Sequence, residues 1–374
     1  MRLSGLGSLV VTVLLILSGC QAAPPTSAPQ PGAGGSTPGP SATRTAREPT
    51  VRPQVYVEGV VLPVGLRFAP DGRLFLGEVN KGQVRVVENG VLRPDPFASF
   101  DVAKGQEHGL LGLTLDPRFA ENHYVYVYYT AAKPSGKPDV NRIVRLTDRD
   151  SQGTDRKVVF DDIPADVKGS HNGGRMVFGP DGKLYVATGA PGDESTGAQK
   201  LEVLEGKILR LNSDGSIPSD NPAPGSPVYA RGLRNPYGID FHPSTGRLYA
   251  IDNGPKGYDE LNLIAPGANY GSPTVVGAPA DPRFVDPLWH SDAERIGLSG
   301  LAFYRGDQLP EYRGDLFFCL WNAGVLRRVR LAPPEYERIE QTEDLAVDCR
   351  LDVANGPDGA LYTAGITSVS RLGR

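Results

Sequence analysis

Met176-Val-Phe-Gly-Pro-Asp-Gly-Lys-Leu-Tyr-Val-Ala-Thr-Gly189 reads as an apolar run, a Pro-Asp-Gly turn and a second apolar run. Asp-Gly between alternating apolar runs marks a β-hairpin. The unit returns along the chain. Its copies begin at Leu66 (Leu-Arg-Phe-Ala-Pro-Asp-Gly-Arg-Leu-Phe-Leu), at Leu113 (Leu-Thr-Leu-Asp-Pro, then Tyr124-Val-Tyr-Val-Tyr-Tyr) and at Ile239 (Ile-Asp-Phe-His-Pro, then Gly246-Arg-Leu-Tyr-Ala-Ile). Two more begin at Leu301 (Leu-Ala-Phe-Tyr, then Gly314-Asp-Leu-Phe-Phe) and at Val353 (Val-Ala-Asn-Gly-Pro-Asp-Gly-Ala-Leu-Tyr). Third strands follow, as in Gln83-Val-Arg-Val-Val and Lys207-Ile-Leu-Arg-Leu. The turn residues Pro70, Pro117, Pro180, Pro243, Asp307 and Pro357 are 47, 63, 63, 64 and 50 positions apart. Such a period, with three or four strands per unit, predicts an all-β chain folded as a six-bladed β-propeller. The last blade lacks an outer strand, and Gln54-Val-Tyr-Val-Glu-Gly-Val is expected to supply it from the N-terminal side, closing the ring and hiding its edges. An open stack of repeats is the competing arrangement.

Composition agrees. Of 374 residues, 46 are Gly and 34 are Pro, which suits many short strands and turns. The formal charge is −4 and no long basic run occurs, which argues against a nucleic-acid partner. The three cysteines are Cys20, Cys319 and Cys349, with no zinc or redox spacing. Cys319 and Cys349 are read either as one disulfide, if the protein is exported, or as two buried thiols.

Residues 1–19 carry Arg2 and an apolar run from Val10 to Leu17, too short for a comfortable membrane span and suited to a signal peptide. The run ends in Leu17-Ser18-Gly19-Cys20, which resembles a bacterial lipoprotein signal in which the Cys is lipidated. Residues 20–52 hold no aromatic, Leu or Ile side chain and seven Pro, and are expected to be a disordered tether. The expected organisation is therefore an export signal, a lipidated Cys20 with its tether, and a propeller over residues 53–374. The chain would be exported and held at the cell envelope by the lipid on Cys20.

Ser170-His-Asn-Gly-Gly-Arg precedes the third copy of the unit. An imidazole titrates near neutral pH, so His171 is the leading candidate for a general base. Gly173 and Gly174 allow a ligand to come close. No dinucleotide Gly motif or Gly-X-Ser-X-Gly elbow is present.

Five segments, in order along the chain, carry a family likeness. They are Glu107-His-Gly-Leu-Leu-Gly-Leu; His171-Asn-Gly-Gly-Arg; Gly206-Lys-Ile-Leu-Arg-Leu with Asp220-Asn-Pro; Gly232-Leu-Arg-Asn-Pro-Tyr-Gly; and Asn253-Gly-Pro-Lys-Gly-Tyr-Asp-Glu with Gly267-Ala-Asn-Tyr-Gly. Over residues 54–374 the chain resembles the PQQ-dependent soluble aldose sugar dehydrogenases, also called glucose/sorbosone dehydrogenases. The resemblance implies a six-bladed propeller that oxidises an aldose at C1 to the lactone with PQQ and Ca²⁺. A sugar is then the small-molecule substrate, and the electron acceptor is open.

In that resemblance His171 is the catalytic base. Arg234 and Asn235 contact the quinone, together with the positions of Glu107, Asn322 and Arg350. The carbonyls of Gly254 and Pro255 hold the calcium that clamps the quinone, and Glu260 with the Tyr270 carbonyl forms a second calcium site. The chain departs from the pattern in three places. Asn322 stands where the family often has Lys. Cys349-Arg350-Leu351-Asp352-Val353 stands for Arg-X-Arg-Asp-Val, which puts Arg350 one residue out and, in a strand, on the other face. Ser170 stands where glucose enzymes commonly have Asp. These departures keep two other readings open: a cofactor-free propeller acting as a cell-surface binding module, and a calcium-dependent lactone hydrolase.

Overall fold

The computed structural model describes residues 51–192 and 195–374. The predicted export signal, Cys20 and all but the last residues of the tether lie outside the described residues.

Six antiparallel sheets follow one another along the chain. The inner strand comes first in each: Pro63–Phe68, Leu110–Leu115, Met176–Phe178, Pro236–Phe241, Leu298–Phe303 and Asp352–Asn355. The second and third strands continue each sheet outward by hairpins. Neighbouring inner strands pack in sequence order, and Asp352–Asn355 returns to Pro63–Phe68. The sheets therefore form a closed ring, not an open stack. The last sheet takes its outer strand from Arg52–Glu58, which pairs antiparallel with Ser368–Gly373, Arg52 opposite Gly373. The six blades and the N-terminal closure are thus as the repeat predicts. In the first blade the outer position is shared by two short pieces, Val91–Leu92 and Ala98–Ser99, both paired with Gln83–Glu88.

The recurrent Pro-Asp-Gly turn has a local cause. In three blades the Asp carboxylate accepts the N–H two residues on: Asp71 from Arg73 (3.0 Å), Asp181 from Lys183 (3.0 Å) and Asp358 from Ala360 (3.2 Å). Gly72, Gly182 and Gly359 then sit at φ 89°, 72° and 76°, which L side chains avoid. The second Asp oxygen is claimed from the next strand, by Tyr185 at 3.0 Å and by Tyr362 at 3.3 Å. The turns of the third and sixth blades are thereby tied to their own hairpins, and in the first blade the Arg73 guanidinium takes the second Asp71 oxygen instead.

The core lies between blades. Tyr304, Phe317, Val353 and Leu372 pack the fifth blade on the sixth, and Tyr249, Ile251, Phe303 and Phe318 pack the fourth on the fifth. Cys319 on the fifth blade is disulfide-bonded to Cys349 in the loop before the sixth, so the first of the two cysteine readings holds.

The axis is filled at one level. Gly65, Gly112, Gly238 and Gly300 line it from four blades, and Arg175 and Asp352 come from the other two. The glycines let neighbouring inner strands approach closely, and at Gly300 a Cβ would meet Asp352 itself. Arg175 Nη1 lies 3.2 Å from Asp352 Oδ2, Arg175 Nη2 donates to Leu351 O (2.8 Å), and Leu66 N–H donates to the same Asp oxygen (3.0 Å). The Arg175 guanidinium stacks over the Tyr237 ring at 4.6 Å. Both charged partners are buried. Removing one partner of a buried pair leaves an uncompensated charge. Asp352→Ala is therefore expected to lower unfolding free energy by about 3–5 kcal/mol, read from the urea midpoint. The double change Arg175→Met, Asp352→Leu should recover much of that loss. A single mutant as stable as the parent would rule the strap out.

Candidate active site

Residues that immediately precede inner strands meet at one mouth of the ring. Glu107 approaches the second blade, His171 the third, Arg234 and Asn235 the fourth, and Arg350 the sixth. Loops between second and third strands add Gly254, Pro255 and Asn322. The structure brings these predicted residues together through hydrogen bonds that cross blades.

Glu107 is the hub. Its Oε2 accepts the His171 N–H at 2.7 Å and the Asn235 Nδ2–H at 2.9 Å. Asn235 Oδ1 in turn accepts Gly173 N–H at 3.2 Å. Glu107 thus braces the site instead of merely facing a cofactor, a role the sequence does not reveal. His171 is 6% exposed and has φ 55°, an uncommon conformation for a non-Gly residue and a frequent one at functional sites. Its Nδ1 lies 3.2 Å from Ala190 O. A carbonyl only accepts, so Nδ1 carries the proton and Nε2 is the basic nitrogen of the neutral ring. A Cβ on Gly189 would sit 2.0 Å from His171 O, so glycine is what lets the His loop lie against this strand end.

Arg234 and Asn235 are fixed by Asp252, whose two oxygens accept their N–H groups at 2.8 and 2.6 Å. Arg234 Nη1 also donates to Asn253 O at 2.7 Å. The ring of contacts continues through Asn253, which exchanges two hydrogen bonds with Leu298 of the fifth blade (2.7 and 2.9 Å). Asn322 gives its amide to Arg295 O at 2.7 Å, and Arg350 Nη1 donates to Trp321 O at 2.6 Å. One expectation is corrected here. The sixth inner strand starts at Asp352, so Arg350 lies before it, where strand alternation does not decide its side. Arg327 and Arg328, also basic and nearby in sequence, are committed elsewhere, to Asp344 and to Asp315 with Glu343.

The acidic loop is arranged around Asp259. Its oxygens accept N–H groups from Gly254 (3.0 Å), Ile296 (3.1 Å) and Gly297 (2.8 Å). The Gly254 and Pro255 carbonyls accept no hydrogen bond among the described residues. Glu260 stands opposite Asp252 in strand register. Burial, then the Asp252 carboxylate, pushes Glu260 up to about 8. Burial likewise lifts Asp252 to about 6, against the two N–H donors that favour its charge. Asn262, 1% exposed, donates to Glu260 Oε2 at 3.1 Å while its own Oδ1 is buried with no partner. The Tyr270 hydroxyl donates to Leu263 O (2.6 Å), and no hydrogen bond joins Tyr270 to Glu260. Among the described residues no three His, Cys, Asp or Glu side chains converge as metal ligands, so a cation here would rest largely on carbonyl and amide oxygens.

Three further residues shape the mouth. Tyr237, within Arg234-Asn-Pro-Tyr, lies above Arg175, and burial pushes its hydroxyl up to about 12. Lys207 is fully buried and gives its ammonium to the carbonyls of Gly197 (2.9 Å), Ala198 (3.0 Å) and Glu205, cinching the loop that presents Ala190 O to His171. A Lys opening the short, wholly buried strand Lys207-Ile-Leu-Arg-Leu is the signal available in the sequence. His108 is 2% exposed with Nε2 at 2.6 Å from Asp166 O, so it supports the loop before His171 and does not face a ligand.

Known proteins share this architecture. The family model described as Glucose / Sorbosone dehydrogenase matches residues 60–371. The aldose sugar dehydrogenase of Escherichia coli is 31% identical over 343 residues, 84% of this chain and 89% of that protein. The crystal structure of an oxidoreductase described as a glucose dehydrogenase from Thermus thermophilus is 38% identical, covering 86% of this chain and 99% of that one, with TM-score 0.78. The PQQ-bound aldose sugar dehydrogenase of Streptomyces coelicolor is 29% identical, covers 87% and 98%, and has TM-score 0.76. This chain belongs to the glucose/sorbosone dehydrogenase family.

Proposed function

We propose that the protein is an exported, lipid-anchored quinoprotein that oxidises aldose sugars at C1 to the lactone, using PQQ and Ca²⁺. The carrying observation is the fixed tautomer of His171, whose Nδ1 is held on Ala190 O at the mouth where Arg234, Asn235 and Arg350 gather. The family membership and the PQQ-bound relative support the cofactor. The anchor rests on the sequence pattern at Cys20.

The residues present suit the two groups. Two guanidiniums, Arg234 and Arg350, stand on the rim for an anionic quinone. The Gly254 and Pro255 carbonyls, without hydrogen-bond partners among the described residues, are hard-cation ligands, as is the orphaned Asn262 Oδ1 beside Glu260. PQQ, when bound, supplies a two-electron acceptor, and calcium polarises it. His171 Nε2 takes the proton of the sugar C1 hydroxyl as the C1 hydride leaves. Glu107, through the His171 N–H and the Asn235 amide, keeps that imidazole from turning away. Asp252 holds Arg234 and Asn235 in place by their backbone.

The purified protein, reconstituted with PQQ and Ca²⁺, is expected to reduce a dye with aldoses and to shift the quinone spectrum. Lactone turnover without PQQ would indicate the hydrolase, and the absence of any quinone spectral change would indicate the binding module. His171→Ala should lower turnover by about 10²–10⁴-fold while PQQ still binds. Unchanged turnover would remove His171 from the base role.

Glu260 gives a pH prediction. Its folded value, about 8, lies above its ordinary 4.5, so the folded state holds a proton that the unfolded chain has released. Stability in calcium-free buffer should therefore fall as pH rises from 4.5 through about 8, and Glu260→Gln should flatten that slope. Calcium favours the ionised form, so its effect on Tm should be larger near pH 8 than near pH 5. An equal slope in the variant would sink this assignment.

A further inference from the structure

The cluster described above occupies one mouth. The inner strands continue past the Arg175–Asp352 level to the opposite mouth, where a cavity of about 520 Å³ opens. Nothing in the proposed chemistry uses it. Its volume falls in the range of small-molecule sites.

Its roof is Arg67, two residues beyond Gly65 on the first inner strand. The guanidinium donates to Leu66 O (2.7 Å) and to Met176 O of the third blade (3.2 Å), so it reaches across the axis under the ion pair. These two bonds take two of its five N–H groups. Among the described residues no carboxylate is in contact with it. Arg305 also lines the cavity, but Asp240 neutralises it in a two-pronged pair at 2.8 and 2.9 Å. Two guanidiniums and one carboxylate leave one net positive charge in the lining.

His242 also lines the cavity. Its Nδ1 accepts the N–H groups of Ser244 and Thr245, both at 3.3 Å, which places the ring proton on Nε2. The side chain is 2% exposed, and Nε2 has no hydrogen-bond partner among the described residues. Burial, then Arg305, lowers its affinity for a second proton, so the ring is a neutral donor. This nitrogen is sealed from solvent, and the ring packs against Phe303 and Tyr336 within the wall that His242 contributes to the cavity. The remaining wall is apolar, with Phe68, Phe178, Ile239, Phe241 and Leu301.

We propose that this lower cavity is a binding site for a small organic anion with an apolar body, its carboxylate on the Arg67 guanidinium and its body against the wall that includes Phe178, Phe241 and His242. The site is separate from the sugar-oxidising mouth, because Arg175 and Asp352 close the channel between them. The reading does not depend on whether PQQ binds.

Benzoate is a suitable probe, titrated calorimetrically into the full-length protein, with benzamide and inorganic phosphate as comparisons. Saturable benzoate binding with Kd at or below about 1 mM is expected, at least about tenfold tighter than benzamide or phosphate. Arg67→Gln should weaken benzoate by about tenfold or more. Should that variant fail to fold, nitrogen NMR of the histidine-labelled parent gives the answer, because the His242 ring signal, assigned with His242→Gln, should move with benzoate while His171 stays. Absence of saturation at about 10 mM, equal binding of benzamide, phosphate binding as tight as benzoate, retention of affinity in a folded Arg67→Gln, or movement of His171 alone would each overturn the proposal.

Discussion

The buried ion pair between Arg175 and Asp352 is the constraint around which the ring is arranged. Neighbouring blades are joined by apolar packing, which is non-directional and would tolerate small changes in radius. A charge pair spanning opposite blades does not tolerate them, because both partners are buried and each needs the other at hydrogen-bond distance. It ties the third blade to the sixth, and through Leu66 N–H it also reaches the first. That contact is made by the inner strand of the last sheet, whose opposite, outer edge Arg52–Glu58 completes. The four channel glycines serve the close approach of neighbouring blades, since a Cβ on Gly65, Gly112 or Gly238 would run into Leu113, into Gly174 O, or into Ile251 and Leu301. A Cβ on Gly300, for example, would lie 2.5 Å from Asp352 Cα.

Closing the axis at that level separates two environments. On one side the loops before the inner strands converge, and their polar groups are spent on one another across blades. Glu107 joins the second, third and fourth blades. Asn253 joins the fourth and fifth, and Arg350 the fifth and sixth. This chain of contacts pre-organises His171 and Arg234 before any ligand arrives, which is where an active site gains most over water. On the other side the walls are aromatic and aliphatic, and the charges are fewer. The ring therefore offers two mouths of opposite chemical character from one set of inner strands.

The fold was legible because its signal is local and repeated. An apolar run, Pro-Asp-Gly and a second run dictate a hairpin through the Asp carboxylate and a left-handed Gly, whatever surrounds them. The site was legible only as a set of residues. That His171, Arg234, Asn235 and Arg350 share a mouth follows from their common position just before inner strands, and Gly254 joins them because the turn from second to third strand lies at the same end. That Glu107 holds His171 and Asn235 does not, because those partners lie 64 and 128 residues away and no local pattern records the contact. The disulfide was undecidable from Cys319 and Cys349 alone, since pairing depends on a Cα separation, here 5.0 Å, that only the packing of two blades creates. Arg67 escaped notice for a related reason. Within Leu66-Arg-Phe it looks like an ordinary alternation of the repeat, and only the closed ring shows that its side chain crosses the axis.

The departures at Asn322 and Arg350 carry different weights once the loops are placed. Asn322 is neutral and commits its amide to Arg295 O, so the charge that a lysine would bring to that position is absent. Arg350 is one residue out of the family pattern, but it precedes the strand, and its guanidinium lies against Trp321 O, next to Asn322 in the chain. The displacement thus places a guanidinium in the part of the rim from which the substitution removes a cation, with Asp348 Oδ1 3.7 Å from its Nε. The positions of Cys349 and Leu351, where the pattern has arginines, are used instead for the disulfide and for core packing. One charge-assisted contact contributes about 1.5–3 kcal/mol, or roughly one to two orders of magnitude in affinity. Under the proposed roles of Arg234 and Arg350, an anionic cofactor is therefore held more weakly than by the full family set, without loss of the means to hold it.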